Sequence, residues 1–391
     1  MGPVRALSNP LAATGQDLDP AGRAPLDFHR RLPEYAVTPL VDASGLAGAL
    51  GVGRAWVKDE SWRLGLPAFK ILGASWAVYR ALERRSGGSI GGWGDAGGLR
   101  ERLAPLLPMT LAAATDGNHG RAVARMARML GLGARIFVPA DMVAARIEAI
   151  ESEGADVVVI QGTYDEAVAR SAEEAGEHCL VISDTSWPGY EDVPRWVIDG
   201  YSTILWEVSD ELDRRGEEGP TLVVAQIGVG AFAAAVTRHF RSPGVSPRPR
   251  ILGVEPTQAA CMLASAEAGE IVHLAGPHAS IMAGLNCGSP SVVAWPTVSR
   301  GVDLFASVDD EWSRRAVRIL ASSGMVSGET GAAGLAGLLA VAEEGDRRAR
   351  RLLGLTEEAR VLLFNCEGAT DPGAYHRILS GEDGVSTNAV P

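Results

Sequence analysis

Lys70 is the residue around which chemistry can be built. The chain holds only two lysines, Lys58 and Lys70, and the other 34 of its 36 basic residues are arginines. An amine can form a Schiff base with a carbonyl, whereas a guanidinium stays protonated and cannot. In LPAFKILGAS, Lys70 is flanked by Ala68, Phe69, Ile71 and Leu72. That apolar setting predicts a lowered pKa and a neutral amine. The plain alternative is a surface lysine. Lys58, in WVKDES, is expected to make a surface ion pair.

Three further stretches place polar groups where a strand runs into a helix or a turn. Thr115-Asp116-Gly117-Asn118-His119-Gly120 lies at such a strand end, where α/β sheets bind ligands. Asn118 could bond a ring oxygen and Asp116 could act as a base; helix capping and core packing are the alternative for Asp116 and His119. After TLVVAQ, the run Ile227-Gly228-Val229-Gly230-Ala231 makes a glycine turn before a helix, a backbone cradle for an anion. It lacks the third glycine and the distant acidic residue of a dinucleotide site, so a phosphate monoester fits better. Asp184, in SDTSWPGYEDVP, stands at another strand end, where capping is the alternative to a functional role. SGETGAAGL puts Glu329 at a glycine-flanked helix start, and NCEGATDP closes the last strong strand. An amine, a phosphate cradle and several carboxylates together fit pyridoxal phosphate.

The elements that must position these groups alternate along the chain. Residues 1–24 read as a loosely held arm. LPEYAVTPL is extended, because Pro39 keeps Thr38 out of helix; 43–50 is a short helix, 55–58 a strand, and 68–84 a helix with Lys70 in its first turn. Residues 86–98 form a glycine-rich loop. Near-continuously apolar strands then alternate with helices, first from 110 to 184 and again from 200 to 256. That pattern predicts parallel sheets covered on both faces. Helices at 310–322 and 331–344 precede the strand in ARVLLFNCEG.

Composition narrows the class. Hydrophobic content of 46% with 21% charged residues suits a globular protein of 391 residues, long enough for two domains. A net charge of −12 argues against nucleic acid or an anionic membrane as the main partner. No apolar run approaches the ~20 residues a bilayer requires, and the first residues lack a signal-peptide order; a cytoplasmic protein is expected. Cys179, Cys261, Cys287 and Cys366 have no zinc-ligand spacing and are too few for a disulfide scaffold, so no metal is expected.

YAVTPL, VKDESWRLGLPAFKILGAS, ATDGNHGRAVA, GTYDEAV, DTSWPGY, QIGVGA, MAGLNCGSP, SGETGAAGL and EGATDP occur in this order over most of the chain. The sequence resembles fold-type-II pyridoxal-phosphate enzymes and, more closely, the diaminopropionate ammonia-lyase family; TDGNHG and DTSWPGY favour that family over its relatives. The resemblance implies two α/β domains with open, mainly parallel sheets and the cofactor in the cleft between them. The large cofactor-binding domain would comprise 1–104 and 185–391, and the small mobile one 105–184. It implies that Lys70 is the Schiff-base lysine and Asn118 the partner of the cofactor's ring hydroxyl. Gly228, Val229, Gly230 and Ala231 would cradle the phosphate, with Glu367 and Thr370 also at the cofactor. Asp116 and Asp184 would serve as bases or amine-recognising carboxylates, with Thr115, Gly117 and His119 near the substrate.

The implied reaction is α,β-elimination of 2,3-diaminopropionate to pyruvate and ammonia by a homodimer. Hydroxy-amino-acid dehydration or β-replacement is the alternative on the same cofactor, and a catalytically silent cofactor-binding protein is the alternative of another class. The family's FGLNAFK, GGSYA and TEGDTDP read LGLPAFK, GASWA and NCEGATDP here, so Ala74, Trp76, Asn365 and Cys366 bear on substrate identity. Cys261 and Cys287 fall in family-like segments that would bring them near each other, with no bond between them expected in a reducing cytoplasm.

Overall fold

The computed structural model describes residues 2, 4–13, 15 and 17–382. From the amino terminus, β1 (Arg5–Ser8) leads through α1 (Ala24–His29) to β2 (Leu40–Asp42), α2 (Ser44–Leu50) and β3 (Arg54–Asp59). Then come α3 (Lys70–Arg85) and α4 (Ala96–Leu103). An alternating run follows: β4 (Thr110–Ala114), α5 (Asn118–Leu130), β5 (Gly133–Pro139), α6 (Ala144–Glu151), β6 (Asp156–Ile160), α7 (Tyr164–Ala172) and β7 (Cys179–Val181). The long α8 (Asp192–Arg215) returns the chain to β8 (Leu222–Gln226), α9 (Ala231–Phe240), β9 (Arg250–Pro256) and α10 (Cys261–Ala268). The remainder is α11 (Trp295–Gly301), β10 (Leu304–Val308), α12 (Asp310–Ser322), α13 (Glu329–Glu343), α14 (Arg347–Leu353), β11 (Arg360–Asn365) and α15 (Pro372–Ser380).

The strands make two sheets. Seven lie in the order β1-β10-β9-β8-β11-β3-β2, parallel except at the two edges, where β1 and β2 run antiparallel to their neighbours. Four lie in the order β6-β5-β4-β7, all parallel. Each central strand of the larger sheet divides its side chains between two apolar cores. On β8, Val223 and Ala225 face one and Leu222 and Val224 the other; on β11, Leu362 and Phe364 oppose Val361 and Leu363. A period of two with both faces covered explains why these strands read as unbroken apolar runs.

Helix packing fixes where Lys70 begins. A Cβ on Gly73 would lie 2.5 Å from the Tyr201 ring, and one on Gly200 would lie 2.5 Å from the Leu72 carbonyl. The two glycines therefore let α3 and α8 cross at nearly backbone distance, and α5 packs on the same α3. Phe28 seals the outer side of α3 against Trp76, Tyr79 and Trp93, with ring centroids 4.9–5.6 Å apart. Trp76 and Ala74 both belong to the buried apolar core on this side of the sheet.

Several expectations are corrected. The arm 1–24 is tied down where it is described: β1 pairs with β10, and the Asn9 amide donates to the carbonyls of Ser299 and Val302 at 2.7 and 2.6 Å. Its irregular composition hid four residues of edge strand. The glycine-rich stretch 86–98 ends early, because the Asp95 carboxylate caps α4 by accepting from the Gly98 N–H at 2.9 Å. β10, whose LFASV run is short and of mixed character, has no counterpart in the sequence reading.

Candidate active site

Lys70 occupies the first turn of α3 with no side chain capping that end. The Phe69 ring before it is clamped between Tyr201 and Phe232 at 4.7 and 4.9 Å. From there the Lys70 amine donates to Asp184 Oδ2 at 2.7 Å. Burial pulls the amine down, but the Asp184 charge outweighs it and raises Lys70 above the ordinary lysine value. The expectation of a neutral amine is therefore corrected: the sequence shows apolar neighbours but not the carboxylate 114 positions away.

Asp184 sits just after β7, in a turn built by its own motif. The Trp187 and Tyr190 rings stack at 4.1 Å, and the Tyr190 hydroxyl donates to the Val181 carbonyl at 2.7 Å while accepting from the Ser183 N–H at 3.0 Å. Ser186 reaches Ser291 at 2.7 Å and so ties this turn to the larger sheet's side of the cleft. Burial alone would push Asp184 up, but the Lys70 ammonium brings it well below the usual carboxylate range. The Tyr164 hydroxyl lies 3.4 Å from the other Asp184 oxygen.

Asp116 behaves oppositely. It lines the same cleft, and burial pushes it up to about 8, opposed by the Arg146 charge and reinforced by Asp184 and Asp141. The cleft thus holds one carboxyl that is ionised and one that is mostly protonated at neutral pH, a pairing suited to acid–base work. Its floor is the turn from β8 to α9. The N–H groups of Gly228, Val229 and Gly230 meet no protein acceptor among the described residues. Gly230 has φ +99, and a Cβ there would come within 2.6 Å of the Met262 side chain. Opposite, Glu367 accepts from the Asn118 amide and, at 3.1 Å, from the Thr330 N–H.

The structure brings together Lys70, Thr115, Asp116, Gly117, Asn118, His119, Asp184, the 228–231 turn and Glu367 around one cleft. Thr115 is a capping residue: its hydroxyl accepts from the N–H groups of Gly117 and Gly120 at 2.9 and 3.0 Å. Thr370 is absent from the lining, and its hydroxyl is buried without a hydrogen-bond partner. Asn365 turns away, donating to Asp59 and the Val326 carbonyl, each at 2.9 Å, whereas Cys366 does face the cleft. Cys261 and Cys287 both approach Gly228, and all four cysteines are free.

Sequence reasoning missed Arg146 and Tyr164. Both also line a larger outer chamber of about 680 Å³ that shares Asp116 with the cleft. Tyr164 lay within GTYDEAV, but nothing local marked Arg146. Lys58 is the other correction. It is 1% exposed and donates at 2.7 Å to both Glu207 and the Thr38 carbonyl, beside an Arg63 that bonds Glu60 and Glu207. Two cations and two anions, all buried, brace the segment leading from β3 to Lys70.

Comparison with known proteins bears on this site. The family model described as pyridoxal-phosphate dependent enzyme matches residues 32–361. Diaminopropionate ammonia-lyase of Salmonella typhimurium is 37% identical over 92% of this chain and 91% of its own length. The enzyme of that name from Escherichia coli strain K12 is 35% identical over 90% and 89%. A crystal structure of the Escherichia coli enzyme in complex with an aminoacrylate-PLP azomethine reaction intermediate superposes with a TM-score of 0.87 at 32% identity, covering 97% of each chain.

Proposed function

The chain belongs to the diaminopropionate ammonia-lyase family of pyridoxal-phosphate-dependent enzymes, and from that premise we propose that it converts 2,3-diaminopropionate to pyruvate and ammonia by α,β-elimination. The observation that carries this reading is a single cleft holding an amine, an anion cradle and two carboxyl groups of opposite protonation tendency.

The residues present fit the cofactor. The unpartnered N–H groups of the β8–α9 turn, at the positive end of α9, would hold its phosphate, and glycine at 228 and 230 lets that turn pack against Gly284 and Met262, where a side chain would collide. Lys70 would hold its aldehyde carbon, and Asn118 with Glu367 would meet the polar edge of its ring. When bound, the cofactor supplies an electron sink for the pair left as the substrate's α-proton departs.

The chain's own groups supply the rest. Asp184, ionised at neutral pH, can accept a proton at Oδ2, and Lys70 can exchange one with it across 2.7 Å. Asp116, mostly protonated below about pH 8, can donate a proton to a departing amine and accept one above that pH. Bases serving the two substrate enantiomers must approach from opposite sides, and we assign this pair to Asp116 and Asp184. Arg146, partly buried at the rim and 3.4 Å from the Asp116 carbonyl, places a cation where a substrate carboxylate would pass.

The reading extends to the whole chain. Residues 105–184 act as a small domain that closes over the remainder, a proposal supported by their separate four-stranded sheet. The protein works as a homodimer in the cytoplasm; Trp62, 63% exposed, is a candidate contact. No helix among the described residues is long and apolar enough to cross a membrane. The test is the visible absorption spectrum of the protein with pyridoxal phosphate, before and after either enantiomer of diaminopropionate. A band that shifts on addition and recovers as pyruvate appears is expected. A band indifferent to both enantiomers would redirect the search to hydroxy amino acids.

A further inference from the structure

His119 is 3% exposed, and its two ring nitrogens have different surroundings. Nε2 lies 2.7 Å from the Ile182 carbonyl, which can only accept, so Nε2 carries the hydrogen. Nδ1 therefore presents a lone pair. It is buried, has no hydrogen-bond partner, and lies 3.9 Å from Asp184 Oδ2, the oxygen that Lys70 holds. A buried acceptor with nothing to accept is costly. This one is aimed at a carboxylate, which offers it no hydrogen until that carboxylate is protonated.

We propose that His119 is a positioning residue for Asp184, whose Nδ1 takes over the proton that Asp184 removes from the substrate. This rests on the reading of Asp184 as one of the two bases. The substrate Cα–H bond breaks, its electron pair stays with the substrate, and an O–H bond forms on Asp184. That hydrogen has an unfilled basic acceptor close by, Nδ1, and a shift of the carboxyl by about 1 Å brings it to hydrogen-bond distance. Transfer breaks the O–H bond and forms Nδ1–H, leaving an imidazolium beside a carboxylate ready for another proton. The same path in reverse returns the proton to Asp184 Oδ2 once the β-amine has left, and water takes it from there as the product departs, which regenerates the carboxylate.

The charged and titratable surroundings are consistent with this. His119 faces Asp184 and Lys70, and burial holds its ring neutral. Asp184 faces Lys70 from α3, His119 from α5, Tyr164 from α7 and, further off, Tyr201 from α8 and Tyr190 from its own turn. Asp116 and Cys287 line the same cleft and also feel the Asp184 charge; burial holds them and the three tyrosines toward their protonated forms, which leaves His119 as the acceptor when Lys70 is otherwise engaged.

His119→Gln tests this in the holoenzyme, because the glutamine amide can still donate to the Ile182 carbonyl while removing Nδ1. The variant is expected to melt within about 2 °C of the parent. It is expected to lose about tenfold or more in kcat on whichever enantiomer Asp184→Asn also disables, with KM little changed and the other enantiomer spared. A second readout needs no turnover: in ¹⁵N-histidine-labelled holoenzyme, the pH at which the His119 Nδ1 resonance shows protonation should fall in Asp184→Asn, because the Asp184 charge favours the protonated ring. Equal losses on both enantiomers, no loss on either, or an Nδ1 response unchanged in Asp184→Asn would overturn the proposal. Should the parent turn over neither enantiomer, the functional reading fails, and the resonance comparison alone decides the role of His119.

Discussion

Asp116 and Asp184 carry the same side chain into one cleft and leave with opposite tendencies, because Asp184 meets Lys70 at 2.7 Å and Asp116 meets mainly burial. Two predictions belong to this scale. Asp116→Asn and Asp184→Asn should each lower turnover of one enantiomer of diaminopropionate by about 100-fold or more and lower the other far less, measured as kcat for each. For the enantiomer that depends on Asp116 as base, kcat/KM should rise with pH through about 8, since the carboxyl must first lose its proton. The Asp184-dependent enantiomer should show no rise there, because that carboxyl is already ionised. Identical profiles for the two enantiomers would remove the distinction between the carboxyls.

Elements hold these residues through close approaches and buried charge. At the start of α9, Gly230→Ala forces a Cβ into the left-handed region and within 2.6 Å of Met262. The expected result is at least about tenfold weaker cofactor binding by spectroscopic titration, equivalent to ~1.4 kcal/mol. Between β3 and α8, Lys58→Met removes one cation from a buried set of four charges, leaving Glu207 with Arg63 alone. Breaking such a set costs about 3–5 kcal/mol, which a denaturant titration would read as a lower midpoint. Burial pushes Glu207 up, but Arg63 and Lys58 pull it down further, from 4.5 to about 2. A depressed carboxyl contributes stability that is fully present above about pH 4.5 and is lost as pH falls through about 2. Acid unfolding of the parent should therefore draw on this network, and Lys58→Met should show a weaker dependence over that window.

At the scale of the whole molecule, the mainly parallel α/β alternation was legible because buried strands announce themselves as apolar runs between amphipathic helices, whereas β1 and β10, which border each other at one edge, were not. Lys70, Asp116, Asn118, Asp184 and the 228–231 turn were legible because each stands where a strand or turn meets a helix. What escaped was decided by contacts distant in sequence. The partner of Lys58 is 149 positions away and that of Lys70 is 114; the first turned a surface lysine into a buried one, and the second reversed an expected pKa shift. Thr370 was placed at the cofactor by its motif, yet its backbone folds back on Gly368 at 2.8 Å and leaves it outside the cleft. The small-domain proposal is tested at this scale too. Adding cofactor and an unreactive substrate analogue should slow hydrogen exchange in the loops of 105–184 that face the cleft, and unchanged exchange would leave that unit fixed.

The most direct measurement of the central claim is the ratio of ammonia to pyruvate released from D- and L-2,3-diaminopropionate by the holoenzyme, with Lys70→Ala as control. Elimination of the β-amine followed by hydrolysis of the remaining enamine predicts two ammonia molecules per pyruvate from both enantiomers and none from Lys70→Ala. Pyruvate from serine alone, or undiminished turnover by Lys70→Ala, would contradict the account.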